Sequence, residues 1–388
     1  MADGVDKDGA DKIVGRTLSS ISEIDAATWN NLANPSPEAY NPFVSHEFLS
    51  ALEASKSVAP ETGWAPMHLI AEEAGDIIGA ASLYAKGHSQ GEYVFDHHWA
   101  DAFHRAGGRY YPKLLSAAPF TPVPGPRLLA ASRAAKATIA ALLREAAVQT
   151  GASSTHVNFI NDDDRSILEG AGFLPRMGEQ YHWFNRGYDT FEDFLGELAS
   201  RKRKQVRRER REAAEDIKIH QLRGDEITER HWDAFWIFYQ DTGARKWGQP
   251  YLTRTFFRLI AETMKEHLMF IVAERSGEPI AGALNFIGGD ALYGRYWGCT
   301  EDVPFLHFEL CYHQAVDFAI EHGLSRVEAG AQGQHKIARG YEPVPTWSAH
   351  WIENDSFRDA IDRYLVSERE QTGMEIDTLK DYTPFRKS

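Results

Sequence analysis

Four ionisable side chains between residues 291 and 340 could together transfer a proton and bind an anion. Arg295 and Glu328 lie on two predicted strands, and His335 and Lys336 follow the second of them. Charges on strands covered on both faces are costly unless they are paired or used. A partly buried Glu328 could accept the proton of an ammonium group, His335 could relay it, and Lys336 could stabilise an oxyanion or hold a phosphate. The competing interpretation is a structural ion pair between Arg295 and Glu328, with His335 and Lys336 in a solvated loop.

Glu309 is an alternative base. It lies in the first turn of a predicted helix, and His313 and Asp317 follow on the same face. Acidic residues are favoured near helix N-termini for electrostatic reasons alone, so this position also has a purely structural explanation. The two cysteines, Cys299 and Cys311, lie in no recognisable nucleophile motif, and direct transfer needs no covalent intermediate.

A strand–helix–strand unit positions these residues. Residues 291–297 alternate in the manner of a strand, so Arg295 and Tyr296 are expected on opposite faces. A helical pattern ending at Gly323 follows, and a second strand is predicted over residues 326–331. A unit of this length is a right-handed crossover between parallel strands.

The chain contains an internal repeat. Residues 71–81 align without gaps with residues 273–283, and both segments read as β-hairpins. Each hairpin is followed by a predicted helix that ends in a glycine, Gly151 or Gly323, and by a further strand. The same order of elements in both halves indicates two copies of one α+β unit.

The composition limits the class of protein. A length of 388 residues favours about two domains, and 43% hydrophobic residues indicate a folded globular chain. A net charge of −14 argues against a general nucleic-acid binder. Two cysteines supply neither a disulfide framework nor a four-thiolate metal site. No apolar run approaches the about 20 residues of a membrane span, and no signal peptide is evident. Residues 1–15 are polar and aperiodic and are expected to be a disordered tail.

The first copy carries a long insert, residues 92–129, which is rich in aromatic residues, His, Gly and Pro. The acidic and histidine residues between 96 and 104 could suggest a metal site. The adjacent His97 and His98 lack the spacing of a helical metal-binding pair, however, and we predict no metal. We interpret the insert as the wall of a cleft between domains.

A strongly basic segment lies between the copies. Residues 201–211 contain eight basic side chains against one glutamate. Such a run is usually a solvated helix face. It could instead bind donor phosphates, a tRNA acceptor stem or an anionic membrane surface, through residues such as Arg207 and Arg208.

Several segments dispersed along the chain resemble one bacterial family. They read NPFVSHEFLSALE, SRKRKQVRRERR, KWGQPYL, YGRYWG, LHFELCYHQA and VEAGAQGQHKIARGY. Over residues 41–352 the chain resembles the predicted bacterial N-acyltransferases labelled as peptidoglycan biosynthesis or recognition proteins. These are tandem GNAT-like proteins related to Fem-type aminoacyltransferases. Bacterial ceramide synthases, which N-acylate a sphingoid base, are similar to this family too.

The resemblance implies an α+β fold of tandem GNAT-like domains, with mixed sheets flanked by helices. We expect a tail at 1–15, a first domain with the insert at 16–190, a basic helical connector at 191–215 and a second domain at 216–388. The two units are expected to face each other across a cleft rather than to share one continuous sheet.

The implied reaction is transfer of an acyl group from acyl-CoA to a primary amine, with a long-chain lipid amine such as a sphingoid base as the leading acceptor. Acyl-CoA is then a co-substrate, and neither a bound cofactor nor a stable nucleic-acid partner is expected. The expected location is cytoplasmic, with the inner membrane surface as a further partner. The alternatives are Fem-type aminoacyl transfer to a peptidoglycan precursor and a non-catalytic module that binds an envelope glycan or lipid.

The sequence leaves the acyl donor open. The acetyl-CoA pyrophosphate signature of GNAT proteins, Q/R-x-x-G-x-G/A, is absent before His307, where the loop reads GCTEDVPFLHF. A long acyl chain would need an apolar tunnel, which the insert and Phe305, Leu306 and Phe308 could line. Lys336 occupies a place similar to the lysine that follows the equivalent strand in Fem-type enzymes.

The predicted catalytic residues are Glu328, Glu309, His335 and Lys336, and the predicted substrate-binding residues are Arg295, Tyr296, Trp297, His307, Lys246, Trp247, Arg207 and Arg208.

Overall fold

The computed structural model describes residues 13–246, 250–330 and 333–386, without the side chains of 244–246. Strands and helices alternate along this mixed α+β chain. The strands are β1 Val14–Leu18, β2 Trp64–Pro66, β3 His68–Glu73, β4 Asp76–Ala81, β5 Leu83–Lys86, β6 Lys113–Ser116, β7 Leu129–Ala130, β8 Ser154–Ile160, β9 Leu174–Phe184, β10 Lys218–Arg223, β11 Leu268–Arg275, β12 Glu278–Ile287, β13 Ala291–Cys299, β14 Arg326–Glu328 and β15 Glu342–Ile352. The helices are α1 Ala26–Ala33, α2 His46–Ala54, α3 His97–Arg105, α4 Arg133–Thr150, α5 Asp162–Gly170, α6 Phe191–Glu197, α7 Ser200–Ala213, α8 Glu229–Lys246, α9 Arg254–Thr263, α10 Leu306–Phe308, α11 Gln314–Glu321 and α12 Asp355–Lys380.

Strands from both halves of the chain form one sheet. Its eleven strands have the order β10-β11-β12-β13-β14-β9-β15-β8-β6-β5-β2, and the first-half strands β1, β3, β4 and β7 form a separate four-stranded sheet. The last strand of the first half, β9, pairs with β14 of the second half, and the last strand of the second half, β15, pairs with β8 of the first. The expectation that the two units avoid a continuous sheet is therefore wrong. Exchange of the last strands satisfies edges that two separate sheets would expose.

The internal repeat is visible as two matching hairpins. β3 pairs with β4 and β11 pairs with β12, both antiparallel, with a register shift at Ala71/Glu72 in one and Ala273/Glu274 in the other. Both turns use consecutive residues with positive φ, the second of which is Gly75 or Gly277. Tight hairpin turns of this kind favour glycine, so the repeated sequence specifies the repeated turn.

The predicted crossover is present. β13 and β14 are parallel, with Ala291 opposite Arg326 and Tyr293 opposite Glu328. The helix between them begins as α10, passes through a π-helical turn at Glu309–His313 and continues as α11. β14 ends at Glu328, before the predicted end of the strand.

A β-bulge interrupts β13 at Arg295. In the pairing with β12, Asn285 lies opposite Gly294 and Leu284 lies opposite Tyr296, which leaves Arg295 without a partner. The bulge shifts the side-chain alternation, so that Tyr293 and Tyr296 contact one core while Leu292 and Trp297 contact the other. The expected unbroken alternation of side chains through residues 291–297 is therefore wrong, because the bulge interrupts it. Pairing of β13 with β14 ends at Tyr293, because β14 ends at its partner Glu328.

β9 and β15 form a long two-stranded ribbon at the centre of the sheet. They pair continuously from Leu174 to His182 on β9, whereas β14 pairs with β9 only at residues 182–184. Among the described residues, no strand therefore pairs with the second edge of β9 over residues 174–181. Unpaired backbone groups at such an edge can bind a ligand.

The remaining expectations concern the ends of the predicted domains. Residues 1–12 of the expected tail lie outside the described chain, and β1 already includes residues 14 and 15. The segment predicted as a basic connector contains α6 and α7.

Candidate active site

Four adjoining cavities lie where the two halves meet. The central cavity, of about 410 Å³, is bounded by the unpaired edge of β9, the bulge of β13 and the residues after β14. An aromatic cavity of about 220 Å³ adjoins it at Tyr93 and Arg295. An outer cavity of about 670 Å³ shares Tyr93 and Phe95 with the central one. An inner cavity of about 130 Å³ lies against the π-helical turn and shares Gly294 and Arg295 with the central one.

Arg295 lies at the junction of the central, aromatic and inner cavities. Its Nη2 donates a hydrogen bond to the carbonyl oxygen of Phe120 at 2.9 Å. Its Nε is buried and has no hydrogen-bond partner in the described chain. A half-buried guanidinium with an unpartnered, buried Nε is a site for a carboxylate, a phosphate or a developing oxyanion.

Glu179 on β9 is a carboxylate of the central cavity. Its Oε1 accepts a hydrogen bond from the hydroxyl of Tyr181 at 3.0 Å, and its Oε2 is buried without a partner in the described chain. Burial raises the pKa of Glu179, the Tyr181 hydrogen bond opposes this, and the negative charge of Glu375 on α12 adds to it. The carboxylate therefore has an unused acceptor and a raised proton affinity.

Arg176 is the second arginine of the central cavity, but its donors are occupied. Nε and Nη2 each bind Glu368 of α12 at 2.8 Å, and Nη1 donates to the carbonyl oxygen of Phe95 at 2.8 Å. Its guanidinium also stacks on Trp99. Arg176 thereby fixes α12 and the insert against β9, whereas Arg295 keeps a donor for a ligand.

Lys336 holds the chain that follows β14. Its Nζ donates hydrogen bonds to the carbonyl oxygens of Ala329 at 2.7 Å and Gly330 at 2.9 Å. Both of these residues line the central cavity. Burial lowers the pKa of Lys336 to about 7. His335 Nε2 lies 2.9 Å from the hydroxyl of Tyr312, which lines the inner cavity.

Glu328 is engaged in a buried polar cluster away from Arg295. Its Oε1 accepts a hydrogen bond from Nε of Arg326 at 2.9 Å, and its Oε2 lies 3.7 Å from Nε2 of His182. Glu328 lines none of the four cavities formed by described residues. The structure does not show the Arg295–Glu328 ion pair of the competing interpretation; Glu328 pairs with Arg326 instead, and its role as a base stays a prediction. β14 ends at Glu328, opposite Tyr293, and the bulge of β13 lies beyond that pair, so Arg295 has no register partner on β14.

Glu309 is likewise bound to a neighbouring helix. Its Oε1 accepts hydrogen bonds from Arg210 Nε at 3.2 Å and from Gln314 at 2.7 Å. Arg210 also binds Asp317 at 2.6 Å. Glu309 is only 3% exposed and lines none of the four cavities. In the structure Glu309 anchors the π-helical turn to α7, and its assignment as the alternative base stays a prediction.

The other predicted substrate-binding residues divide into three groups. Tyr296, Trp297 and His307 line the aromatic and inner cavities beside Arg295. The side chains of Lys246 and Trp247 lie outside the described residues.

Arg207 and Arg208 form the third group and lie on the exposed face of α7, paired with Glu192 at 2.5 Å and with Glu212 at 3.7 Å. The guanidinium of Arg208 is also 5.8 Å from the ring of Phe305, two residues before His307 of the aromatic cavity. The basic helix therefore lies beside the helix that supplies His307.

The predicted apolar tunnel does not include the residues before and within α10. Leu306 is buried in the core, and Phe308 lies under the guanidinium of Arg339 at 3.4 Å. Neither these two nor Phe305 lines the four cavities of the described chain, so we correct this expectation. The insert, by contrast, walls the cavities as predicted, through Tyr93, Phe95 and Phe120.

A buried ion cluster fastens the insert to the sheet. Nζ of Lys113 on β6 donates hydrogen bonds to Glu92 Oε2 at 2.7 Å, to Ser89 at 2.8 Å and to Asp96. Asp96 also accepts a hydrogen bond from Tyr110 at 2.7 Å. The cluster places the segment with Tyr93 and Phe95 against the cavities, and it occupies the Asp96 carboxylate that had suggested a metal ligand.

Sequence reasoning missed Glu179. It lies within β9, LPRMGEQYHWF, next to Gly178 and between apolar residues. A glutamate in such a strand could have been marked as costly in the same way as Glu328. What could not be read from the sequence is that β9 has an unpaired edge there.

Sequence comparison identifies the family. Residues 20–387 match the FemAB-like family, described as peptidoglycan biosynthesis/recognition. This chain belongs to the FemAB-like family. The resemblance inferred from the sequence is therefore confirmed. Among proteins of curated function, none matches the chain significantly.

Solved structures share the fold of this FemAB-like protein. FemX has a TM-score of 0.54 at 12% identity, covering 87% of this chain and 98% of that one. The C-terminal domain of a putative lysylphosphatidylglycerol synthetase from Agrobacterium fabrum has a TM-score of 0.52 at 10% identity, covering 90% and 97%. L-PGS from Bacillus licheniformis has a TM-score of 0.50 at 10% identity, covering 84% and 98%.

The predicted fold class, an α+β fold of tandem GNAT-like units, is confirmed, with the difference that the units share one sheet. At these sequence identities, the similarity to solved structures shows the fold alone. The family match supports an acyl- or aminoacyltransferase, and it agrees better with the Fem-type alternative than with the ceramide-synthase-like interpretation.

Proposed function

We propose that this FemAB-like protein transfers an aminoacyl group from an aminoacyl-tRNA to a primary amine of a cell-envelope precursor. The observation that carries the proposal is the central cavity, which brings Arg295 and Glu179 to one space between the two halves. Each of the two side chains keeps one buried polar atom without a partner in the described chain, Nε and Oε2. A cationic donor and an anionic acceptor in one cavity suit a substrate pair with an amine and a carbonyl that becomes an oxyanion.

The backbone around the cavity suits an extended ligand. β14 ends at Glu328, opposite Tyr293, and within the described chain no strand pairs with the second edge of β9 over residues 174–181. Backbone N–H and C=O groups along such edges can bind the amides of an extended peptide. Peptidoglycan precursors carry a peptide, which agrees with the description of the family.

In the proposed reaction the amine nitrogen attacks the ester carbonyl of the donor. The carbonyl electron pair moves to oxygen, where Arg295 Nε can donate a hydrogen bond. Collapse of this intermediate breaks the bond to the leaving oxygen, which takes a proton. Lys336 supports the site by holding the carbonyl groups of Ala329 and Gly330, and so fixes one wall of the cavity.

A tRNA donor suits the exposed face of α7. Arg201, Lys204 and Arg211 are exposed there and have no ion pair within the described chain. A local basic surface can bind a polyanion even on a chain of net charge −14, because screening limits repulsion from distant charges to about a Debye length. Such a donor places the reaction in the cytoplasm or at the inner face of the membrane. Within the described chain no helix combines the length and apolar character of a membrane span.

The proposal is tested by incubating the protein with charged tRNA and a panel of amines, with products read by mass spectrometry. The panel contains a lysine-bearing precursor peptide, ethanolamine, L-lysine amide and a sphingoid base. We expect an amide product on the precursor peptide, and much less of it with Arg295→Gln. Absence of transfer to every amine, with the protein folded, would overturn the proposal.

Acyl-CoA-dependent N-acylation is the second candidate function. The aromatic cavity favours it, because Phe120, Tyr239 and Tyr251 offer an apolar space beside Arg295. A parallel series with acyl-CoAs of increasing chain length distinguishes the two. A product formed from acyl-CoA and the sphingoid base, but not from charged tRNA, would favour this candidate.

A further inference from the structure

We propose that Glu179 binds the ammonium form of the acceptor amine in the central cavity and accepts its proton, with Tyr181 as a positioning residue. The inference rests on the proposed transfer to an amine and assigns the base that this transfer needs. Two carboxylates expected to serve as bases each have one oxygen held by an arginine, Glu328 by Arg326 and Glu309 by Arg210, and neither lines the central cavity. Glu179 lines the central cavity and keeps an oxygen without a partner in the described chain.

The geometry around Glu179 leaves one oxygen for the substrate. Oε1 is held by the hydroxyl of Tyr181 at 3.0 Å, which fixes the carboxylate. Tyr181 is 1% exposed and packs in the same core as Leu292 and Trp297, so its ring is rigidly placed. Oε2 is buried without a hydrogen-bond partner among the described residues. A buried carboxylate oxygen left unpaired is costly, and an ammonium group is a partner that removes this cost.

The charges around Glu179 suit a reversible proton acceptor. Burial and the charge of Glu375 raise its pKa, and the Tyr181 hydroxyl lowers it. Lys336 lies over the Tyr181 ring at 5.8 Å, and Arg176 and Arg295 face the same cavity. Arg176 is neutralised by Glu368. Glu179 thus ionises less readily than an exposed glutamate and can take a proton from an ammonium group.

The proposed step transfers one proton of the ammonium group to Glu179 and a second one to the leaving oxygen. The ammonium group gives one proton to Oε2, and the freed amine forms the N–C bond while the carbonyl pair moves to oxygen. When the bond to the leaving oxygen breaks, that oxygen takes the second proton of the nitrogen. The proton on Glu179 then returns to solvent. The products are an amide and an alcohol, and no oxidant or further reactant is needed.

Turnover of Glu179→Gln is the first measurement. We expect a loss of about 10²–10⁴-fold in kcat/KM without a change in the unfolding midpoint. Glu179→Asp, which keeps a carboxylate, should recover part of the loss. Glu370→Gln, an exposed change on α12, is the matched control and should keep full activity. Near-normal turnover of Glu179→Gln would overturn the inference.

The pH profile separates a base from a merely structural carboxylate. Glu375→Gln removes a negative charge that raises the pKa of Glu179, so the acidic limb of kcat/KM should move to lower pH. Tyr181→Phe removes a hydrogen bond to the carboxylate, so the limb should move to higher pH. A structural role for Glu179 predicts no opposite shifts, and two unmoved limbs would overturn the assignment.

Binding of simple amines tests the inference separately from the transfer reaction. Calorimetry at about pH 8, with L-lysine amide and ethanolamine largely in the ammonium form, should show binding to the wild-type protein and at least a tenfold weaker affinity for Glu179→Gln. If Glu179→Gln loses the amine binding of the wild type, while the wild type transfers nothing to any amine, the proposed function is refuted but the ammonium site is retained. Equal binding by both proteins, or no binding by the wild type, would overturn the inference.

Discussion

Nε of Arg326 lies 2.9 Å from Oε1 of Glu328, two residues along the same strand. Arg326 also binds Asp290, in the turn that leads into β13. The guanidinium therefore joins β14 to the start of β13 and binds one oxygen of a carboxylate residue that is 3% exposed. Arg295 lies on the bulge of β13 beyond this point and faces the central cavity.

Glu328→Gln should reduce stability rather than catalysis. Replacing the buried carboxylate weakens its interaction with Arg326, and we expect the free energy of unfolding to fall by about 1–3 kcal/mol. The folded fraction should keep turnover within a few-fold of wild type. Urea unfolding and steady-state kinetics measure the two quantities. A loss of turnover of about 100-fold at unchanged stability would restore Glu328 as the base.

Arg295→Gln should impair the transfer step. Arg295 is the cavity cation with an unpartnered buried Nε in the described chain, and removal of an oxyanion donor costs about 10²–10³-fold in kcat. Arg295→Lys keeps the charge but lacks the planar donors, so we expect it to recover only part of the rate. Arg258→Gln, on the exposed face of α9, is the matched control. Equal rates for all three variants would exclude this role.

The exposed face of α7 should control the salt dependence of donor binding. Replacing Arg207, Arg208 and Arg211 with Gln should weaken tRNA binding and reduce the slope of log affinity against log salt, by about 0.7–0.9 for each phosphate that is no longer neutralised. Stability should change little because these arginines are exposed.

Arg210→Gln, on the inner side of the same helix, is the control for α7. It should destabilise the fold, since Arg210 binds Glu309 and Asp317, and it should leave the salt slope unchanged. An unaltered slope in the triple variant would leave the solvated-face interpretation of α7 standing.

Lys336 should make stability depend on alkaline pH. Burial lowers its pKa from 10.5 to about 7, so between these values the unfolded chain binds more protons than the folded one. Stability should therefore rise with pH over this window, and the cost of Lys336 should be fully present below about pH 7. Lys336→Met removes this contribution. The difference in unfolding free energy between wild type and variant, followed from about pH 7 to about pH 10, should increase in favour of wild type; a constant difference would contradict the lowered pKa.

Local patterns were sufficient to predict many elements. The two hairpins follow from alternating apolar residues around glycine-containing turns, and both are present with the same turn geometry. The parallel crossover and the aromatic insert were also readable, because a helix of suitable length and a run of aromatic residues are properties of contiguous sequence. Arg295, Tyr296, Trp297 and His307 line one cavity, and they are close in the chain; substrate binding by them stays a prediction.

The tertiary structure decided which charged groups share a site. Alternation placed Arg295 and Glu328 on neighbouring strands, but β14 ends at Glu328, opposite Tyr293, and a bulge opposite Leu284 and Asn285 changes the direction of the Arg295 side chain. The position of a bulge depends on pairing with another strand. The sequence alone could not supply that register.

The family and the repeated unit were determined by the sequence itself. The eleven-stranded sheet shared by both halves, the ion pairs of Glu328 and Glu309, and the exposure of Glu179 to the central cavity were decided only by the tertiary structure. The physical reason is the exchange of last strands: β9 lies between β14 and β15, which come from the other half of the chain. Hydrogen bonds between strands so distant in sequence determine which edges remain open, and the open edge of β9 brings Glu179 to the same cavity as Arg295.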